Sequence, residues 1–257
     1  MNKKVILLIL DGWGVTQDPS VSAIFNAKTP YINSLYDLHP SSELRTDGEH
    51  VGLPEGQMGN SEVGHMNLGA GRIVYQNLAK INIAVREGKL AKETELIKAF
   101  NYAKENNKNV HLLGLISNGG IHSHINHAKG LLDAAHKNNV NNVYLHAFTD
   151  GRDCDPKSGK YFIKDIEEHM RNTTGELATI TGRYYSMDRD NRWERVKLTY
   201  DALVEGIGKK SVNALESINE SYQENITDEF IKPIIMVDEN NKFVRHLNEK
   251  QGQTVND

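Results

Sequence analysis

The chain has little of several features, and each shortage excludes a class of protein. It has one cysteine, Cys154, in 257 residues, so no disulfide can form within it, and a reducing compartment is favoured. We therefore expect a cytoplasmic protein. The net charge of -4 offers no basic excess to neutralise nucleic-acid phosphates, which argues against a nucleic-acid partner.

Long hydrophobic runs are also missing. The apolar run at residues 5–10 is far shorter than the roughly 20 residues that span a bilayer, and no signal-peptidase site follows it. We therefore expect no membrane partner. The run is typical of a strand that is buried on both faces of a parallel sheet. Asp11 follows this run, and ligands bind at the carboxyl ends of the strands in such sheets. Considered alone, however, Asp11 is slightly more typical of a simple Asp-Gly turn.

Strands alternate with helices along most of the chain, which predicts an α/β fold with a parallel or mixed sheet. Predicted strands cover residues 5–10, 110–116, 143–148, 177–181 and 234–237, with a short candidate at 44–46. Predicted helices cover residues 30–38, 93–105, 125–138, 159–170, 193–205 and 211–222. A composition change near Tyr75 predicts domains at 1–75 and 76–237, followed by a polar, frayed tail at 238–257.

A stretch rich in glycine and small polar residues, 59–72, contains Ser61 just before a predicted helix start. A serine at this place can cap the helix. It can also be a nucleophile, because the N–H groups and dipole of a helix N-terminus attract phosphate. His65 lies four residues further, on the same helix face, and the sequence assigns it no role.

Three histidines follow the predicted strand 110–116, namely His122, His124 and His127. A His-x-His pair can place both rings on one side of an extended chain, so a metal site is conceivable. No carboxylate or cysteine is spaced to complete it. We therefore favour an anion-holding role for His122 and leave His124 and His127 without a role.

Arg152 and Asp153 follow the predicted strand 143–148. The pair offers a guanidinium that can bind phosphate or carboxylate and a carboxylate that can act as a base. The alternative is a turn with an Arg–Asp surface pair, which would contribute little to stability. Three aspartates and one arginine in this loop carry more charge than a turn requires.

Four arginines lie within thirteen residues after the strand 177–181. Arg183 and Arg189 suit a small anionic substrate, because guanidinium groups bind phosphate oxygens in bidentate fashion. The alternative is a salt-bridged loop, to which we assign Arg192 and Arg195. Since this segment and the two before it all follow strands, we expect them at one rim of one sheet.

Taken together, these segments resemble the cofactor-independent (2,3-bisphosphoglycerate-independent) phosphoglycerate mutases, in family order from residue 5 to about 237. The motifs are Leu-Ile-Leu-Asp-Gly-Trp-Gly at 8–14, Gly-Asn-Ser-Glu-Val-Gly-His at 59–65, Asn-Gly-Gly-Ile-His-Ser-His at 118–124, Asp-Gly-Arg-Asp at 150–153 and Gly-Arg-Tyr-Tyr-Ser-Met-Asp-Arg-Asp-Asn-Arg-Trp-Glu-Arg at 182–195. The resemblance implies an alkaline-phosphatase-like α/β/α domain with an inserted phosphotransferase domain. Residues 1–75 would be an incomplete half of the former, and 76–237 would be the latter.

The resemblance also implies the site and the reaction. Ser61 would be the nucleophile that forms a phosphoserine, and Asp11 and Ser61 would be manganese ligands. Asp153 would also be the general base at the glycerate hydroxyl. The phosphoglycerate would be held by His122, Arg152, Asp153, Arg183 and Arg189. The reaction would interconvert 3-phosphoglycerate and 2-phosphoglycerate in glycolysis and gluconeogenesis, and the family implies a monomer.

The sequence departs from the family pattern after residue 237 and lacks the family's further arginine, lysine and metal-ligand segments. We therefore expect a truncated chain in which the ligands of two Mn²⁺ ions are incomplete. Residues 1–75 should be poorly supported and should expose apolar surface. One alternative is a chain that binds phosphoglycerate without turnover. Another is a related phosphatase or phosphopentomutase, which the segments around His122 and Arg183 disfavour.

Overall fold

The computed structural model describes residues 4–14, 16 and 18–244. The chain divides into two compact units, Met1–Ala79 and Lys80–Asp257. The division falls a few residues beyond the predicted boundary near Tyr75. The assignment of the two predicted domains to a phosphatase and a phosphotransferase part stays a prediction.

The described part of the first unit is helical. Its α-helices are α1 (Ala23–Asn26), α2 (Pro30–Leu38), α3 (Ser61–Ala70) and the start of α4 (Asn77–Arg86), with 3-10 turns at Pro19–Val21 and Gly48–Val51. The predicted helix 30–38 is confirmed, with Pro30 at its first position, where a missing N–H does no harm. A small buried cluster holds Val51, Leu53 and Val63.

Both strands predicted for the first unit, 5–10 and 44–46, are wrong. No strand occurs among the described residues of this unit, so the backbone at 5–10 has no described strand to pair with. Val5 and Ile6 are 90% and 91% exposed. The expected exposure of apolar surface is therefore confirmed, although it is not the face of a strand.

The second unit is built on a five-stranded mixed sheet with the order β1-β2-β3-β5-β4. After α4 its elements are α5 (Thr94–Glu105), β1 (Val110–Leu115), α6 (Ile125–Lys137), β2 (Val143–Thr149), α7 (Gly159–Asn172), β3 (Glu176–Gly182), α8 (Arg183–Ser186), α9 (Trp193–Glu205), β4 (Lys209–Ser211), α10 (Ala214–Gln223) and β5 (Ile234–Met236), with 3-10 turns at Leu90–Lys92 and Asp228–Phe230. This confirms the α/β class. Within the described ranges, no helix has both the length and the apolar character needed to cross a membrane.

Strand direction decides where the loops of the second unit lie. β1, β2 and β3 are parallel, β5 is antiparallel to β3, and β4 is parallel to β5. The carboxyl ends of β1, β2 and β3 therefore share one edge of the sheet. β2 is buried along almost its whole length, as expected for an apolar strand between two parallel neighbours.

The predicted helix 211–222 starts too early. Ser211 ends the short strand β4, and α10 begins only after Asn213, whose side-chain oxygen accepts from Leu215 N at 3.1 Å and Glu216 N at 3.2 Å. The strand itself was not predicted, because Lys209 and Lys210 do not form an apolar pattern. Lysines are common on strands at a sheet edge, where they discourage pairing with other chains.

The predicted frayed tail, 238–257, is described only as far as residue 244. Residues 238–244 form a turn that returns to β5, since Asp238 N donates to Lys242 O at 2.8 Å and Val244 N donates to Met236 O at 3.0 Å. The remainder of the predicted tail lies outside the described residues.

Candidate functional site

Ser61 is the first residue of α3 and does not cap the helix. The cap is Asn60, whose side-chain oxygen accepts from Val63 N at 3.1 Å. The capping alternative for Ser61 is therefore wrong, because its hydroxyl is not needed by the helix backbone. The hydroxyl is available for other contacts at the positive end of the helix dipole.

The Ser61 hydroxyl lies between an acid and a histidine. Its Oγ donates to Asp11 Oδ2 at 2.6 Å. The Nδ1 atom of His65 lies 2.9 Å from Ser61 O and 3.2 Å from Ser61 Oγ. The single hydroxyl hydrogen of Ser61 is donated to Asp11, so Ser61 Oγ can only accept from His65. We therefore place the ring hydrogen of His65 on Nδ1, which leaves Nε2 as an acceptor. The structure thus brings the predicted pair together and adds His65.

These side chains line an open cleft of about 520 Å³ within the first unit, which we call the serine cleft. Asp11 reaches it from a turn in which Trp13 N donates to Leu10 O at 3.1 Å, and not from the end of a strand. Asp11, Ser61 and His65 are all exposed. The serine cleft is accessible to an anionic ligand from solvent.

Asp11 and Ser61 offer the right kind of ligand atom for a metal ion but too few of them. Their oxygens are the donors that Mn²⁺ accepts, yet such ions usually have about six ligands. In the parts of the chain that the structure describes, no three histidine, cysteine, aspartate or glutamate residues are grouped to hold a metal ion. The two residues therefore supply two oxygen donors, which is fewer than such an ion needs.

A second cleft, of about 450 Å³, lies in the second unit, where the loops after β1, β2 and β3 meet. We call it the arginine cleft. All five residues predicted to hold the substrate line it. Its lining consists of Ile121, His122, Arg152, Asp153, Arg183, Tyr184, Met187, Asp188, Arg189, Asp190, Arg195 and Glu229.

The loops of the arginine cleft are joined by Asp150, which is 1% exposed. Its Oδ2 accepts from Ser117 Oγ at 2.6 Å, and its Oδ1 accepts from Asp153 N at 2.9 Å, Arg152 N at 3.1 Å and Arg183 Nη1 at 2.7 Å. Burial acts to raise the pKa of Asp150, but these hydrogen bonds outweigh it and hold the pKa below its usual range. An ionised carboxylate therefore links all three strand ends.

Arg183 is held by two carboxylates. Its Nη1 atom lies 2.7 Å from Asp150 Oδ1 and 2.5 Å from Asp153 Oδ2, and its side chain is only 9% exposed. Burial acts to lower the pKa of Arg183, but both carboxylates raise it. His122 Nε2 lies 3.9 Å from the same Asp153 oxygen. The pair of arginine and aspartate that the alternative interpretation assigned to Arg152 is thus made by Arg183.

Arg189 differs from the other arginines of this cleft. It is exposed and lines the cleft, and its side chain makes no hydrogen bond or ion pair within residues 18–244. Arg152 is 53% exposed, and its Nη1 lies 3.7 Å from Glu229 Oε1. These two guanidinium groups are the ones available to bind an anion.

Arg195 belongs to a salt-bridged loop, as predicted. It lies 3.1 Å from Asp188 and 3.4 Å from Asp190, and its guanidinium packs 3.9 Å from the ring centre of Tyr184. Arg192 does not follow the prediction, since no ion pair of its side chain occurs in the described residues. Its backbone N–H donates to Asp188 Oδ2 at 2.9 Å.

His124 and His127 cap the start of α6. His124 Nδ1 accepts from Asn126 N at 3.1 Å, and His127 Nδ1 accepts from His124 N at 3.3 Å. His127 Nε2 lies 2.6 Å from Asn82 Oδ1, so we assign it the ring hydrogen. Burial lowers the pKa of both rings, with further contributions from nearby positive groups. The metal alternative is not supported, because both rings are occupied in capping.

Sequence reasoning missed the 3-10 turn Asp228–Phe230, which packs behind both arginine loops. A Cβ atom at Gly151 would lie 2.8 Å from Glu229 N, and one at Gly182 would lie 2.4 Å from Glu229 O. Two glycines at strand ends can signal a close backbone approach. Nothing in the sequence, however, identified the distant segment that approaches them.

Comparisons with known proteins cover both units. Residues 81–255 match the family model described as "BPG-independent PGAM N-terminus". The 2,3-bisphosphoglycerate-independent phosphoglycerate mutase of Flavobacterium johnsoniae is 64% identical over 242 residues, which is 94% of this chain and 48% of that protein. The protein of the same name from Bacteroides fragilis is 55% identical over 235 residues, 91% of this chain and 47% of that protein.

A solved structure is also similar. The crystal structure of Leishmania mexicana phosphoglycerate mutase at low cobalt concentration aligns with a TM-score of 0.67 and 30% identity. The alignment covers 87% of this chain and 43% of that one. The chain therefore spans about half the length of the curated relatives that it matches.

The histidine cap makes the stability of the second unit depend on pH. The pKa of His127 is lowered from 6.5, so the unfolded chain binds more protons, and stability should be lost as pH falls below about 6.5. In urea unfolding between pH 7.5 and 5.5, we expect His127→Gln to flatten this loss. The slope should decrease by at most about 1.4 kcal/mol per pH unit.

The control is His136→Gln, at the exposed end of α6, which should keep the wild-type slope. Equal slopes in the wild type and His127→Gln would contradict the assignment of a neutral His127 as a hydrogen-bond acceptor.

Proposed function

Because this chain belongs to the family of 2,3-bisphosphoglycerate-independent phosphoglycerate mutases, we propose that it acts in the interconversion of 3-phosphoglycerate and 2-phosphoglycerate. The reaction would proceed through a phosphoserine at Ser61. The observation that carries the proposal is that some arginines of the arginine cleft are held by carboxylates and others are not. Arg183 is immobilised by two carboxylates, whereas Arg189 is unpaired among the described residues.

The arginine cleft suits a small molecule that carries both a phosphate and a carboxylate. Arg189 and Arg152 can each bind one anionic group in bidentate fashion, and His122 can donate a further hydrogen bond. Arg183 contributes chiefly by holding Asp153. In this proposal, the glycerate hydroxyl oxygen attacks the phosphorus of the phosphoserine, the bond between phosphorus and Ser61 Oγ breaks, and Asp153 takes the proton of the attacking hydroxyl.

Ser61 is suited to the phosphoryl group. A helix N-terminus presents unpaired N–H groups and a positive dipole end to phosphate oxygens. Asp11 fixes the hydroxyl through the 2.6 Å hydrogen bond, and His65 contacts it from the other side. We propose that Asp11 and Ser61 are two ligands of a manganese ion, which when bound would lower the pKa of the serine hydroxyl.

A second candidate function is binding of phosphoglycerate without turnover. It is favoured by one observation, since the described residues provide only Asp11 and Ser61 toward a metal site. For both functions we propose a cytoplasmic protein, which the single cysteine supports, and a monomer, as the resemblance implies.

Substrate binding is tested by calorimetric titration with 3-phosphoglycerate. The wild-type chain should bind, and Arg189→Gln should weaken binding at least about tenfold, because a charged hydrogen bond is worth about 1.5–3 kcal/mol. Arg171→Gln, at an exposed position of α7, is the matched control and should bind as the wild type does. The absence of binding by the wild type, or equal affinities for all three, would contradict the proposed site.

The nucleophile is tested by turnover and by trapping. With Mn²⁺ the wild type should interconvert the two phosphoglycerates, and mass spectrometry should detect phosphate on Ser61. Ser61→Ala should lose both signals, because the hydroxyl that Asp11 binds at 2.6 Å is then removed. Ser41→Ala, at an exposed position, serves as the control. Binding without turnover or phosphoserine in the wild type would instead support the second candidate function.

A further inference from the structure

The 3-10 turn Asp228–Phe230 brings a carboxylate, Glu229, into the arginine cleft. The backbone of Glu229 lies against Gly151 at the end of β2 and Gly182 at the end of β3, where any Cβ atom would clash with it. Gly182 N also donates to Ile231 O at 2.7 Å. The turn therefore cannot move independently of the two loops that carry Arg152 and Arg183.

Asp228 anchors this turn from the inside. It is fully buried, and its carboxylate accepts from Gly159 N at 2.6 Å and Tyr222 Oη at 2.5 Å. Its backbone oxygen accepts from Thr149 Oγ1 at 2.8 Å, and its backbone N–H donates to Pro156 O at 2.9 Å. With side chain and backbone both bonded, Asp228 fixes where the next residue, Glu229, enters the cleft.

Among the described residues, Glu229 is the acid that forms an ion pair with Arg152. Its Oε1 lies 3.7 Å from Arg152 Nη1, and its side chain is 20% exposed. This distance suits an ion pair but exceeds that of a hydrogen bond. The pair is therefore looser than the contact between Arg183 and Asp150, at 2.7 Å.

Two other arginines of the arginine cleft make closer ion pairs than Arg152 does. Arg183 and Arg195 are each paired with two aspartates, whereas within the described residues Glu229 is the one acid paired with Arg152. A ligand anion can approach Arg152 at hydrogen-bond distance, which is closer than the 3.7 Å at which the Glu229 carboxylate lies. The ligand would then replace a weak counter-ion with a stronger one.

We propose that Glu229 is a positioning residue that acts as the exchangeable counter-ion of Arg152. Without ligand, its carboxylate holds the guanidinium over the cleft. An anionic group of the ligand then takes the place of the carboxylate at Arg152. The inference rests on the proposed function, because the ligand is the phosphoglycerate proposed above.

The exchange is tested by a double-mutant cycle with 3-phosphoglycerate on the full chain, using calorimetry. Glu229→Gln should bind about two- to fivefold tighter, because a partly exposed ion pair that competes with the ligand is removed. In the Arg152→Gln background, Glu229→Gln should leave the affinity unchanged. Glu224→Gln, which removes one charge at an exposed residue, is the control, and melting temperatures check that each variant folds.

Unchanged or weaker binding by Glu229→Gln would overturn the inference. If Glu229→Gln tightened binding equally with and without Arg152, the inference would also be overturned. The negative charge of Glu229 would then repel the ligand directly and would not act through the arginine. A merely structural role predicts a lower melting temperature and no dependence on Arg152.

A second measurement separates this inference from the proposed function. The Nε–H resonance of Arg152 in the ligand-free chain, assigned by its loss in Arg152→Gln, should shift in Glu229→Gln and not in Glu224→Gln. No shift would overturn the pairing whatever the ligand does. If the wild type does not bind 3-phosphoglycerate, the proposed function fails, and this spectrum alone decides whether Glu229 pairs with Arg152.

Discussion

The arrangement of the second unit depends on the ion pair between the buried carboxylate of Asp150 and the buried guanidinium of Arg183, at 2.7 Å. A charge removed from water is costly unless charges and hydrogen bonds compensate it, and breaking one such pair costs about 3–5 kcal/mol. Asp150 meets this condition with donors from the ends of β1, β2 and β3. The parallel strands bring three loops to one edge, and this carboxylate sets their relative positions.

This pairing divides the arginines of the arginine cleft into two kinds. Arg183 and Arg195 are neutralised by aspartates and belong to the framework. Arg189 and Arg152 keep their charge available, one without a partner among the described residues and the other against the distant carboxylate of Glu229. A cleft that contains equal numbers of arginines and acids can therefore still bind an anion. Affinity depends on which cations are already paired, and not on net charge.

The sequence predicted correctly those strands whose apolar pattern matches their burial in the structure. The strands that became β1, β2 and β3, and the motifs at their ends, were placed correctly because parallel strands force their carboxyl ends together. Residues 5–10 had the pattern of a buried strand, but a strand also needs neighbours, and the described residues supply none. The turn that holds Glu229 was missed, because its contacts with Gly151 and Gly182 join segments far apart in sequence.

The most direct test is the ionisation of Asp150. In carbon-13 NMR of the chain with labelled aspartate, the Asp150 carboxyl resonance can be assigned by its loss in Asp150→Asn. It should keep the shift of a carboxylate as the pH is lowered through 3.8, the ordinary value for aspartate, because burial is outweighed by the donors around it. A resonance that titrates at or above 3.8 would contradict the account, since the hydrogen-bond donors around Asp150 would then not outweigh its burial.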